Sequence, residues 1–315
     1  MINSLTLSTP LSFEIGMTLD LLVSKANHSC DPNAIIVFDG AVLSFRSLKS
    51  ISKGEEIFIS YIDATLPRER RQHELLQRYF FSCQCSKCKK GNETCEDRFF
   101  VEPPPPELLQ RVNLVFGIIE RAKRLEPEPE EYYQYLMEAM KIPTAAKAFW
   151  PVNRQPWPQL RGLLEEAMVI TQRWTQALSQ FVFKYFYIDP FLYPVTWHPT
   201  RVLNKWMLYN IIDHVMILIV KGEVSDHALM PEEYINWHTV NWGLLNEVAS
   251  NVELSHGPTH SVALGVKSKL EKTKVGITGM GFAPPALDSP AMTEEWAKLR
   301  RFAKTAEGQG RSSFH

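Results

Sequence analysis

The chain has 315 residues, with 34 Lys and Arg against 35 Asp and Glu and a formal net charge of -1. That balance gives no general reason to expect nucleic acid as the main partner, and the length allows a large core and two domains. Five cysteines in so long a chain do not make a disulfide scaffold, which leaves metal binding in a reducing compartment as the favoured use.

No basic region leads into an apolar run over Met1 to Pro10, so no secretory signal is read there. Ala34 to Phe38 and Ala41 to Phe45 are strand candidates, with Asp39-Gly40 between them as a two-residue turn signal. Ser52 to Glu55 reads as a second turn feeding a strand over Glu56 to Tyr61. Pro67 to Phe80 reads as a helix with Leu75, Leu76 and Tyr79 on its apolar face, and Arg68, Arg70 and Arg71 on a solvated one. Pro103 to Pro106 breaks regular structure and marks a boundary, after which helical patterning dominates. Helices are predicted over Leu108 to Leu125, Glu130 to Met140, Trp157 to Tyr187, Val202 to Val220 and Tyr234 to Ala249. Pro143 to Pro158 reads as a connector. The apolar stretch Trp206 to Val220 is interrupted by Asn210, Asp213 and His214, so a buried helix is expected there rather than a membrane span. Gly276 to Pro290 is glycine- and proline-rich, and the last fifteen residues read as disordered.

The chemistry concentrates in two segments. Cys83, Cys85 and Cys88 offer three closely spaced thiols, and Cys30 can complete a set of four. Four soft ligands suit a closed tetrahedral zinc site of structural type, with His28 as a substitute ligand and Cys95 as the spare thiol. Such a site would tie residues 28–33 to the segment after the first helix. The competing reading is a reduced or partly oxidised thiol cluster without metal.

Three ordered motifs carry a resemblance. They are Asn27-His28-Ser29-Cys30-Asp31-Pro32-Asn33, then Gly54-Glu55-Glu56-Ile57-Phe58-Ile59-Ser60-Tyr61-Ile62-Asp63, then Tyr79-Phe80-Phe81-Ser82-Cys83-Gln84-Cys85-Ser86-Lys87-Cys88. Together they resemble SET-domain protein lysine methyltransferases of the SMYD group. The resemblance implies an α+β fold: the C-terminal half of a β-rich SET core over residues 1–82, a cysteine-rich post-SET segment over 83–100, and a mainly α-helical C-terminal domain over 107–300. It implies S-adenosyl-L-methionine as cofactor, with Asn27, His28 and Phe81 at its site. Tyr61 and Tyr79 then stand beside the transferred methyl, and Cys30, Cys83, Cys85 and Cys88 are structural zinc ligands.

The implied activity is protein-lysine N-methylation, with histone or another protein as substrate, in nucleus or cytoplasm, and with no nucleic-acid or membrane partner. The reaction needs a neutral lysine amine aligned with a sulfonium methyl, and an apolar aromatic channel lowers a lysine pKa by desolvation. A tyrosine of ordinary pKa, about 10, is a poor obligatory base, so both tyrosines are read as positioning groups. No counterpart of the family's glycine-rich cofactor strands or MYND zinc module is read before Asn27. Phe13 to Asp20 is read as a piece bordering the core. The expectation is therefore a fragment of a longer methyltransferase, a chain whose sheet a partner completes, or a noncatalytic zinc-stabilised interaction scaffold.

Overall fold

Short polar turns set the strands of the first unit. The structure is a computed structural model and describes residues 4–8, 14–97, 105–124, 128–142, 150–224, 234–304 and 306. The chain divides into two units, one of residues 1–125 with 145–162 and one of residues 126–144 with 163–315. Among the described residues there are six strands and eleven α-helices. The strands do not merge into one β-rich core; they make three separate two-stranded sheets.

In the first unit, β1 (Ser4–Ser8) pairs antiparallel with β2 (Glu14–Leu19), with an irregularity between Leu7 and Ser8. Strand β3 (Asn27–His28) runs parallel to β6 (Phe58–Ile59), two residues against two. The expected strand over Glu56 to Tyr61 thus shrinks to its middle. The hairpin of β4 (Ala34–Asp39) and β5 (Val42–Ser47) closes with Asp39 opposite Val42, so the turn residues are Gly40 and Ala41, one step later than the Asp-Gly signal suggested. Gly40 has φ 58° and Ala41 is not among the positive-φ residues, the pattern of a type II′ turn with glycine first.

Helix α1 (Arg68–Tyr79) begins after Pro67, whose fixed φ suits that boundary. Its buried residues are Arg71 and Leu75. Leu76 is 50% exposed, and Arg71, read from the sequence as solvated, is 0% exposed. The short α2 (Ser86–Lys89) carries Cys88. Pro105 caps α3 (Pro106–Ala122), where Pro106 takes the first-turn position that needs no N–H.

The predicted long helix over Trp157 to Tyr187 is two helices. After α4 (Pro129–Lys141) come α5 (Trp157–Ile170) and α6 (Trp174–Phe183). Gln172 takes φ 57° between them. Arg173 N–H donates to the Met168 carbonyl and Gln172 N–H to the Val169 carbonyl, the paired bonds of a Schellman end built without glycine. Periodicity runs straight through such a break, which is why the sequence hid it.

A π-helical turn over Lys184–Ile188 leads into α7 (Asp189–Leu192). In the second unit, α8 (Pro199–Val220) packs on α9 (Trp237–His256), and α9 on α10 (Ser261–Gly279) and α11 (Pro290–Ala303). Helix α10 runs on into the glycine- and proline-rich stretch as far as Gly279, and Arg301–Ala303, within the stretch expected to be disordered, finish α11; residues 305 and 307–315 lie outside the described residues. Helix α8 is long and apolar enough to cross a membrane by length and composition, yet 44% of its apolar window is buried inside the protein. Val202, Leu208, Ile212 and Val215 make that buried face. Lys205, only 1% exposed, pairs there with Glu247 of α9, which also accepts from the Tyr185 hydroxyl at 2.7 Å. Burying a charge is costly unless it is paired, as here.

Candidate metal centre and active site

Asn33 holds the polar turn. Its Oδ1 accepts from Phe58 N–H at 2.8 Å and its Nδ2 donates to the Glu56 carbonyl at 2.9 Å. Its own carbonyl accepts from Leu48 N–H at 2.8 Å. One buried side chain therefore does for β6 what a longer ladder would do, and β3 and β6 can stay two residues long. Ser29 N–H donates to the Ile59 carbonyl at 2.9 Å, completing the pairing that places Cys30 two residues past the end of β3.

Helix α1 holds the other side through one face. Gln72 makes a two-way tie to Cys83: its Nε2 donates to the Cys83 carbonyl at 2.8 Å and its Oε1 accepts from Cys83 N–H at 2.9 Å. Arg68 Nε donates to the Cys88 carbonyl at 3.1 Å. Leu75 packs with Cys30, Ile62, Cys83 and Cys88 in one buried cluster. Asp97 in turn accepts from the Arg68 N–H at 3.1 and 3.2 Å, placing a carboxylate at the helix N-terminus where the dipole favours it.

These supports bring the four cysteines together. The sulfurs of Cys30, Cys83, Cys85 and Cys88 all lie within 4.8 Å of one another, and three of the four residues are buried. Zinc–sulfur bonds of about 2.3 Å in a tetrahedron put sulfurs about 3.8 Å apart, so the set fits a metal ion of that kind. Cys95 is exposed and outside the set. Burial pushes the Cys30 thiol well above its usual range, and the neighbouring Cys83 and Cys88 push it the same way. Burial also raises Cys83. Cys85 moves the other way, to about 6, because the Cys88 amide and the Cys83 thiol outweigh the effect of burial. The raised groups stay thiols unless a cation offsets their charge, so four thiolates would gather here only around a metal ion. His28, read from the sequence as a substitute ligand, lies beside the four-cysteine set as a hydrogen-bond partner of Cys30.

His28 joins the cysteine set to the aromatic residues. Its Nδ1 accepts from Tyr61 N–H at 3.0 Å, which fixes the neutral tautomer with hydrogen on Nε2. That Nε2 lies 3.2 Å from Cys30 Sγ and donates to it. Burial, aided by the charge of Arg71, lowers the imidazole pKa to about 4 and keeps it neutral near pH 7. Both ring nitrogens are thus committed inside the protein. Main-chain groups alternate along a parallel strand, and Ser29 N–H points to β6, so the His28 N–H and carbonyl face the opposite edge.

The sequence-derived tyrosines meet at the same place. The Tyr61 ring lies 5.2 Å from His28 and 5.0 Å from Tyr79, and Phe81 lies 5.8 Å from His28. The Tyr61 hydroxyl donates to the Ala26 carbonyl at 2.6 Å, and Tyr79 donates to the Tyr61 carbonyl at 3.3 Å. Asn27 is exposed, with its amide donating to Glu56 at 2.6 Å, while Phe81 is half-buried. The structure brings together the nine residues named from the sequence, with supports from Asn33 and Gln72 and a buried Arg71 that the sequence reading did not single out for this place. The signal was present: residues 68, 71, 72, 75 and 79 follow helical spacing and make one face of α1.

Comparison with known proteins agrees with this architecture. Residues 11–62 match the model of the SET domain. The "SET domain and MYND-type zinc finger protein 6" of Schizosaccharomyces pombe is 46% identical over 95 residues, covering 30% of this chain and 20% of that protein. The "N-lysine methyltransferase SMYD2" of Gallus gallus is 34% identical over 280 residues, covering 85% of this chain and 57% of that protein. The human "Histone-lysine N-methyltransferase SMYD3" is 40% identical over 94 residues, 30% of this chain and 22% of that protein. The chain therefore carries a SET-domain segment. More narrowly, it is similar to lysine methyltransferases of the SMYD type, and it spans less than three fifths of the length of those relatives.

Proposed function

We propose that this chain serves S-adenosylmethionine-dependent protein-lysine N-methylation, with zinc as the ion held by Cys30, Cys83, Cys85 and Cys88. The observation that carries the reading is the meeting of Tyr61, Tyr79, His28 and Phe81 on the four-cysteine joint. A purely structural zinc knot has no need of that aromatic group beside an exposed Asn27. The relatives named for lysine or histone-lysine methylation support the same substrate class, a protein lysine.

S-adenosylmethionine, when bound, supplies an electrophilic sulfonium methyl, so no catalytic metal is required. Asn27 and the half-buried Phe81 are placed to contact it, and His28 contributes through its main chain because its ring is committed to Tyr61 and Cys30. The Ala26 carbonyl fixes the Tyr61 hydroxyl, and Tyr61 fixes Tyr79 through its carbonyl. The two rings present a wall that excludes water, which favours the neutral lysine amine and orients it. Neither tyrosine takes the proton; each acts by position. Zinc held by Cys30, two residues from His28, and by the other three thiols would shape the pocket without joining the chemistry. Radiolabelled methyl transfer to protein substrates tests this reading. Incorporation into lysine by the zinc-loaded chain supports it, and cofactor binding that is absent in folded, zinc-loaded protein refutes it.

A further inference from the structure

Arg71 is 0% exposed. Its Nη1 donates to the Leu66 carbonyl, while Nε and Nη2 are buried with no hydrogen-bond partner among the described residues. A guanidinium stays charged, and a buried charge without partners is costly. Two carboxylates act on it electrostatically, and both are engaged elsewhere: Glu96 pairs with Lys87, and Asp97 binds the Arg68 amide and the Thr94 hydroxyl. Glu96 keeps one buried oxygen unpartnered, yet it forms no ion pair with Arg71.

Among the described residues, the other groups that act on Arg71 electrostatically are Cys30 and Cys88. Arg71 lies one turn before Leu75, which packs against Cys30, Cys83 and Cys88, and its charge acts on Cys30 and Cys88. Four thiolates around a divalent zinc leave two excess negative charges in a buried place. We propose that Arg71 is the buried counter-charge of this metal site, a positioning residue whose Nε–H and Nη2–H donate to cysteine sulfur once metal is bound. The proposal rests on the zinc reading. Charge-assisted donors to a thiolate withdraw electron density from it, so Arg71 stabilises the loaded site and tunes the metal.

Three measurements on the full chain test this. The first is metal content and zinc retention against a chelator at fixed pH. Arg71→Met is expected to lose about tenfold or more in zinc affinity, with Arg71→Lys recovering part of it. The second is the sulfur-to-metal charge-transfer band of the cobalt-substituted protein, which moves to lower energy in Arg71→Met when hydrogen bonds to sulfur are lost. A residue that only braced the Leu66 carbonyl would leave this band in place. The third needs no variant, and so stands even if Arg71→Met does not fold: NMR of the parent loaded with a spin-active cadmium isotope. A scalar coupling between the metal and an Arg71 guanidinium proton supports the assignment. A metal-loaded parent without that coupling, or an Arg71→Met chain with parental affinity and band, overturns it and leaves the zinc reading intact. A parent that takes up no metal overturns both.

Discussion

Replacing Gln72 by Ala removes both hydrogen bonds between α1 and the Cys83 main chain, at 2.8 and 2.9 Å. Each is worth about 1 kcal/mol net, and Cys83 is buried, so its unpaired N–H adds a desolvation cost. The sum is about 2–3 kcal/mol. On the zinc reading, the ordering of so short a cysteine segment is coupled to metal binding, so much of that loss is expected in zinc retention. At about 1.4 kcal/mol per tenfold, the affinity should fall about 30- to 100-fold. Chelator competition at fixed pH measures the affinity, and thermal unfolding of the loaded chain measures whatever remains in global stability. Zinc affinity within twofold of the parent together with an unchanged melting temperature would refute the claim that α1 holds the metal segment through Gln72.

Three further outcomes are expected. Cys85→Ser should lower bound zinc below one ion per chain and destabilise the first unit; parental stoichiometry by elemental analysis would contradict the four-sulfur site. Tyr61→Phe should keep zinc, cost about 1 kcal/mol through the lost bond to the Ala26 carbonyl, and reduce methyl transfer; unchanged turnover would remove the hydroxyl from the mechanism. In the second unit, burial lowers His198 to about 4, while its Nδ1 accepts from Thr200 N–H as a cap for α8. Because the folded pKa is depressed, the unfolded chain binds more protons in acid, so stability is full above about 6.5 and declines as pH falls toward 4. By pH 5 this group should contribute a loss of about 2 kcal/mol. His198→Asn keeps a capping side chain without the titration and should flatten that decline; an identical pH profile in denaturant unfolding would refute it.

The site was more legible than the fold. Cysteine spacing and the run from Asn27 to Asn33 picked out the four thiols that the structure brings together, because sulfur donors at short gaps have few other uses. Tyr61 and Tyr79 came from resemblance, and the structure brings them within 5.0 Å of each other. Arg71 was misread because arginine is rarely buried, and a basic run carries no sign of which of its members turns inward. The break between α5 and α6 was invisible because Gln172 adopts a left-handed conformation that sequence associates with glycine. Strand β6 was overextended because the Asn33 side chain, rather than a ladder, satisfies Phe58 N–H and the Glu56 carbonyl.

The central claim is that Asn27, His28, Phe81 and the two tyrosines form a methyl-transfer pocket built on the metal site. Calorimetric titration of the folded, zinc-loaded chain with S-adenosylmethionine tests it most directly. The account predicts saturable binding at one site, weakened when zinc is stripped. A folded chain that holds its zinc and shows no binding would contradict it.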